Sequence, residues 1–202
     1  MKFELLPEQY MISESRINLL VPDPEDVKKA YEKSEIAFPY WSQVWPSARA
    51  LGEFIFDHQQ IIENKTVLEL AAGLGLPSFC ASFFAKQVTC SDQNADAVAI
   101  MQQTIDEWKY KNCVARVIDW NHLPSGTSAD VLLLSDVNYE TAAFTGLEKV
   151  IDFFLSGGTT IILATPQRLM AKKFIEKIMF HTIQKEQRFI DLVPVSIFVL
   201  KK

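Results

Sequence analysis

Apolar and polar positions alternate along this chain in blocks of two kinds. Short, nearly continuous apolar runs occur at Thr66–Leu70, Gln87–Asp92, Val114–Trp120, Asp130–Asp136 and Thr159–Ala164, each closed by an acid, a glycine or a turn. Runs of this length, rich in branched residues, read as buried strands. Between them lie longer segments with helical spacing, at Leu76–Ala85, Ala95–Lys109, Thr141–Leu155 and Arg168–Ile178. Two further runs, Phe180–Glu186 and Val193–Leu200, suit an antiparallel pair at the end. Strand and helix in alternation predict a mostly parallel sheet with helices on both faces.

The first part of the chain breaks this rhythm. Phe3–Leu6, Tyr10–Ile12 and Ile17–Val21 could each be a short strand, and Pro22-Asp-Pro-Glu-Asp starts a helix to about Ser34 with acids in its first turn. This region reads as an appendage or lid. Next comes Phe38-Pro-Tyr-Trp-Ser-Gln-Val-Trp-Pro-Ser, aromatic and bracketed by prolines, then helical spacing to Asp57. Such a segment is either a plug over the core or a rigid aromatic wall, since ring faces attract cations and stack on bases.

Composition narrows the classes. The chain has 202 residues, 49% hydrophobic and 22% charged, enough for one domain with a sizeable core. Its net charge of −5 argues against non-specific nucleic-acid binding. Cys80, Cys90 and Cys113 fit neither a disulfide framework nor a CxxC zinc site. No apolar run approaches a membrane span, and Met1–Glu8 does not read as a signal peptide, so a reducing cytoplasm is the expected location.

Chemistry gathers at the strand ends. Thr66–Leu70 runs into Ala71-Ala-Gly-Leu-Gly75, a glycine turn that brings backbone amides close to a ligand at a helix N-terminus. Glu69, a carboxylate in a buried strand, could point into the ligand crevice and hold a hydroxyl or ammonium group. Asp92 stands 17 residues after Gly75, where an acid can bind the two ribose hydroxyls of a nucleoside; Ser91, Asp92 or Asn94 could equally cap the next helix. Asp119 could accept from an exocyclic amine, with Trp120 flanking a ring. The fourth strand ends at Ser135-Asp136, three residues before Tyr139. Ligands of open sheets bind beyond such ends.

These residues resemble a family. Pro39-Tyr-Trp-Ser-Gln-Val-Trp-Pro-Ser, Val67-Leu-Glu-Leu-Ala-Ala-Gly-Leu-Gly-Leu-Pro, Asp119-Trp120 and Asp136-Val-Asn-Tyr139 look like a class I, seven-strand, S-adenosylmethionine-dependent methyltransferase. More narrowly they resemble the lysine methyltransferases that include the electron-transfer-flavoprotein β-subunit enzyme. The resemblance covers roughly residues 36–200. It implies a Rossmann-like, seven-stranded, mostly parallel α/β sheet with a C-terminal antiparallel hairpin, a transferase domain at 36–202 and an extension at 1–35 packed on it. It also implies methyl transfer to a protein lysine, with no membrane or nucleic-acid partner. Glu69, Gly73 and Gly75 would cradle the methionine end of the cofactor, with Ala71, Gln93 and Ser135 in the same crevice. Asp92 would bind ribose, Asp119 and Trp120 adenine, and Trp45 would pack on the cofactor. Asp136 and Tyr139 would face the acceptor amine. Ala71 departs from the family's usual glycine, and its methyl narrows the crevice. The alternatives are a small-molecule N-methyltransferase, a non-catalytic S-adenosylmethionine-binding module and a nicotinamide-dependent oxidoreductase, whose third motif glycine is missing here.

Overall fold

A computed structural model describes residues 3–33, 35–138, 143–166 and 171–202. The chain opens with a hairpin of β1 (Leu5–Ile12) and β2 (Ser15–Pro22), then α1 (Pro24–Glu32) and α2 (Pro46–Asp57). Next come β3 (Thr66–Leu70), α3 (Leu76–Ala81), β4 (Gln87–Asp92), α4 (Ala95–Trp108), β5 (Cys113–Val117) and β6 (Val131–Ser135). The chain closes with α5 (Phe144–Ser156), β7 (Thr160–Pro166), α6 (Lys172–Ile178), β8 (Thr182–Ile190) and β9 (Val193–Leu200).

Seven strands form one sheet in the order β5-β4-β3-β6-β7-β9-β8. The first five are parallel, and β9 pairs antiparallel with both β7 and β8. This is the Rossmann-like sheet with a C-terminal antiparallel hairpin that the resemblance implies. Central strands alternate between two apolar layers. Val131 and Leu133 of β6 join one, with buried side chains of α2, α3 and α4; Leu132 and Leu134 join the other, with those of α5 and α6. Both faces are therefore covered, and the central strands are apolar at nearly every position, as parallel sheets require.

Three expectations are corrected. The three short N-terminal runs merge into two eight-residue strands, with Pro7 inside β1 opposite Leu20. Pro7 lacks an N–H, which an edge strand tolerates. β5 stops at Val117, so Asp119 lies beyond the strand in a short 3-10 turn. The third helix is six residues long and ends at Ala81, and Phe83 in the turns that follow is exposed.

The hairpin does not join the large sheet. Ile17, Leu19 and Val21 are buried in the same apolar layer as α4, and the Leu20 N–H donates to Thr104 Oγ1 at 3.0 Å. Among the described residues, no helix is long and apolar enough to cross a membrane.

Candidate active site

A cavity of about 420 Å³ opens beyond the carboxyl ends of β3, β4, β5 and β6. That volume suits a small-molecule ligand. It lies where the strand order reverses, with β4 and β5 on one side of β3 and β6 on the other.

The turn after β3 forms its floor. Ala71, Gly73 and Gly75 all have left-handed backbones, with φ of 52°, 57° and 78°. Gly73 also meets the opposite wall: a side chain there would place its Cβ 3.2 Å from the Trp41 carbonyl oxygen. Ala71 holds this conformation with a Cβ, at a cost of about 1–2 kcal/mol. Three hydrogen bonds fasten the turn to its neighbours. Ala72 N donates to Ser91 O (2.8 Å), Gly73 N to Asp92 Oδ2 (2.9 Å) and Ser78 N to Glu69 Oε2 (2.9 Å).

Glu69 is fully buried and is not among the residues that line the cavity. Its Oε2 accepts from both the amide and the hydroxyl of Ser78, whereas Oε1 has no partner among the described residues. Burial pushes its carboxyl up to about 8 against the opposing pull of Ser78, so it holds its proton at neutral pH. Asp92 does line the cavity. Its oxygens accept from Gly73 N and Asn94 N, and burial raises its pKa against these bonds and the pull of the Gln93 amide. The helix cap is Asn94, whose Oδ1 accepts from Asp96 N and Ala97 N, which leaves Asp92 facing the ligand space.

The proline-bracketed segment is the facing wall. Trp41 is 8% exposed, and Trp45 Nε1 donates to Tyr40 O at 2.7 Å, closing the loop on itself. Pro46 begins α2 immediately after Trp45. Trp120 flanks the β5 side, while Asp119 does not line the cavity. Asp119 is turned into its own loop, accepting from Asn121 N and bonding His122 Nδ1 at 2.7 Å; His122, then the Asn121 amide, hold its pKa low.

On the β6 side, Ser135, Asp136 and Val137 line the cavity. Asp136 is another left-handed residue, φ 56°, and its N–H donates to Ala164 O of β7 at 2.9 Å. Tyr139 lies outside the described residues. Trp45, Ala71, Gly73, Gly75, Asp92, Gln93, Trp120, Ser135 and Asp136 thus share one cavity. Not singled out beforehand were Gln43, Val44, Ala48, Leu74 and Ile118. Gln43, Val44 and Ala48 lie in or just after the proline bracket, which was their only signal.

The electrostatics are one-sided. Asp92 and Asp136 are the charged residues of the lining, and no lysine, arginine or histidine joins them among the described residues. The start of α3 offers little to an anion either: Pro77 has no N–H, and the Ser78 amide goes to Glu69.

Comparison with known proteins agrees with this geometry. The family described as "Lysine methyltransferase" matches residues 30–186. The Protein N-terminal and lysine N-methyltransferase EFM7 of Yarrowia lipolytica is 27% identical over 179 residues, covering 74% of this chain and 65% of that protein. The Electron transfer flavoprotein beta subunit lysine methyltransferase of Mus musculus is 26% identical, covering 64% of this chain and 51% of that protein. The chain therefore spans about half to two thirds of the length of these relatives. In fold it is similar to the T. thermophilus 16S rRNA N2 G1207 methyltransferase, solved with AdoMet and guanosine, at a TM-score of 0.69 and 13% identity, over 98% of this chain and 51% of that one.

Two measurements test this construction. Glu69 binds its proton more tightly folded than unfolded. That contribution is complete below its ordinary pKa of 4.5 and drains away as pH climbs toward about 8. Glu69→Gln mimics the protonated acid, so its melting temperature should gain on wild type steadily from pH 5 to pH 8; parallel curves would rule out a buried neutral Glu69. Separately, Gly73→Ala should cost about 1–2 kcal/mol more than Gly158→Ala in denaturant unfolding. Both glycines have positive φ, but a Cβ at Gly158 meets nothing within 4 Å. Equal costs would mean that the Trp41 backbone yields freely.

Proposed function

Because the chain belongs to the lysine methyltransferase family, we propose that it transfers a methyl group from S-adenosylmethionine to the side-chain amine of a protein lysine. The observation that carries this reading is the acid-only cavity. A nicotinamide dinucleotide brings a pyrophosphate, which wants cations or free helix amides. The lining supplies two carboxylates instead, and the first turn of α3 has its Ser78 amide committed. A sulfonium and an amine suit that field.

The roles follow from position. Asp92 keeps lone pairs beyond the two it gives to backbone amides, and these receive the ribose hydroxyls. Gly73 and Gly75 let the backbone approach the methionine end, with Ala71, Gln93 and Ser135 beside them. Trp120 flanks the adenine, and Trp45 closes the cavity from the α2 side. Glu69 and Asp119 act one step removed, Glu69 by holding α3 against β3 and Asp119 by shaping the turn that presents Trp120. When bound, S-adenosylmethionine supplies an electrophilic methyl group. An acceptor nitrogen must sit about 3 Å from it with a free lone pair. Asp136 accepts hydrogen bonds from that amine and aligns it, and Tyr139 assists; burial away from water favours the neutral amine. We assign residues 36–202 to this domain and treat residues 1–35 as an extension docked through β2. Three unpaired cysteines favour a reducing compartment such as the cytoplasm.

Calorimetric titration should show binding of S-adenosylmethionine and none of NAD. Asp92→Ala should weaken that binding by about 1.5–3 kcal/mol, the loss of charge-assisted hydrogen bonds; unchanged affinity in the folded variant would remove Asp92 from the site. Proteome-wide labelling with radioactive cofactor should yield methyl-lysine, and Asp136→Asn should keep cofactor affinity while losing most of that label. Label recovered as methyl-arginine, or in small molecules alone, would overturn the lysine reading.

A further inference from the structure

Outside the cavity, one cluster is left over from the aromatic segment. Tyr31 at the end of α1, Phe38 and Tyr40 form a continuous row of rings. Phe38 sits edge-on to Tyr31 with centroids 5.5 Å apart, and Tyr40 lies 4.5 Å beyond it. All three stay open to solvent, at 45%, 53% and 38% exposure. A single exposed ring needs no explanation, but three in a contiguous row form the kind of apolar patch that interaction surfaces use. Phe38 and Tyr40 also line the cavity, whereas Tyr31 does not, so the row runs from the mouth outward.

The backbone that carries this partly exposed row is held in place. The Glu35 N–H donates to Ala30 O at 3.0 Å, Ser42 N to Pro39 O at 3.1 Å and Trp45 Nε1 to Tyr40 O at 2.7 Å. A segment whose backbone is fixed before a ligand arrives loses less entropy on binding it. Lys28, Glu32, Lys33 and Glu35 stand beside the row in sequence and balance one another, and Asp92 and Asp136 in the cavity behind it leave carboxylates in excess. Ring faces attract cations, more so beside carboxylates.

We propose that Tyr31, Phe38 and Tyr40 form a docking subsite for a second, basic side chain of the acceptor polypeptide, close in sequence to the methylated lysine. The subsite selects substrates by an arginine or lysine neighbouring the target. This rests on the lysine-transfer reading, and its test separates the two.

The probe is a set of short synthetic peptides with one central lysine, flanked at successive positions by arginine, leucine or glutamate, incubated with labelled S-adenosylmethionine. Wild type should label the arginine-flanked peptides about threefold to tenfold faster than the leucine-flanked ones, with glutamate slowest. Tyr31→Ala and Phe38→Leu should flatten that order, while Tyr31→Ala keeps its S-adenosylmethionine affinity. A preference that survives in both variants, or a wild-type preference for leucine, overturns the subsite and leaves lysine transfer standing. Failure of wild type to label any peptide overturns the subsite, and methyl-lysine absent from the proteome-wide label as well overturns lysine transfer itself.

Discussion

The turn between β3 and α3 is gripped by two buried carboxyl groups, and the rest of the cavity depends on that grip. Glu69 holds the α3 side through Ser78, and Asp92 holds the β4 side through Gly73. A loop with three left-handed residues would otherwise have several arrangements of similar energy. The two groups work differently because their surroundings differ. Glu69 is sealed in and stays protonated near neutrality, a neutral clamp. Asp92 stands at the cavity surface with an amide on each oxygen, so it braces the turn while still lining the cavity.

The facing wall is fixed from the far end of the chain. Trp45 immediately precedes α2, and α2 is tied to the C-terminal hairpin by charge. Arg188 of β8 is only 13% exposed, reaches Asp57 and Glu186 at 2.7 Å and 2.6 Å, and lies over the Phe54 ring. Arg49 pairs with Asp191 in the β8–β9 turn. Partly buried ion pairs with several partners hold orientation better than isolated surface pairs. The antiparallel hairpin thus sets where the aromatic wall stands, although none of its residues lines the cavity.

How much of this was legible in the sequence depended on how local the signal was. Strand β3, strand β4 and helix α2 were readable nearly to the residue, because apolar runs and proline boundaries are local signals. The crowding of acids at strand ends located the cavity. Orientation was not legible. Whether Glu69 faces the crevice or the helix beneath it depends on Ser78, nine residues away, and on how α3 packs over β3. Asp119 faces its own turn because Asn121 and His122 offer it partners there. A pattern of apolar and polar positions carries no record of such choices.

The β6 side of the cavity is built on strain. Asp136 holds a left-handed backbone that a non-glycine residue adopts only at a cost, and such residues persist where their neighbours overdetermine them. Two anchors do so here, and both reach to β7. Asp136 N donates to Ala164 O, and Thr165 Oγ1 donates to the fully buried Asn138 at 2.6 Å. Val137 between them is buried as well. A relaxed extended backbone at Asp136 would carry the chain straight on from β6. The left-handed turn instead keeps Asp136, Val137 and Ser135 together on the cavity lining. Parallel pairing of β6 with β7 therefore does more than extend the sheet: it supplies the fixed edge against which the Asp136 carboxylate is set.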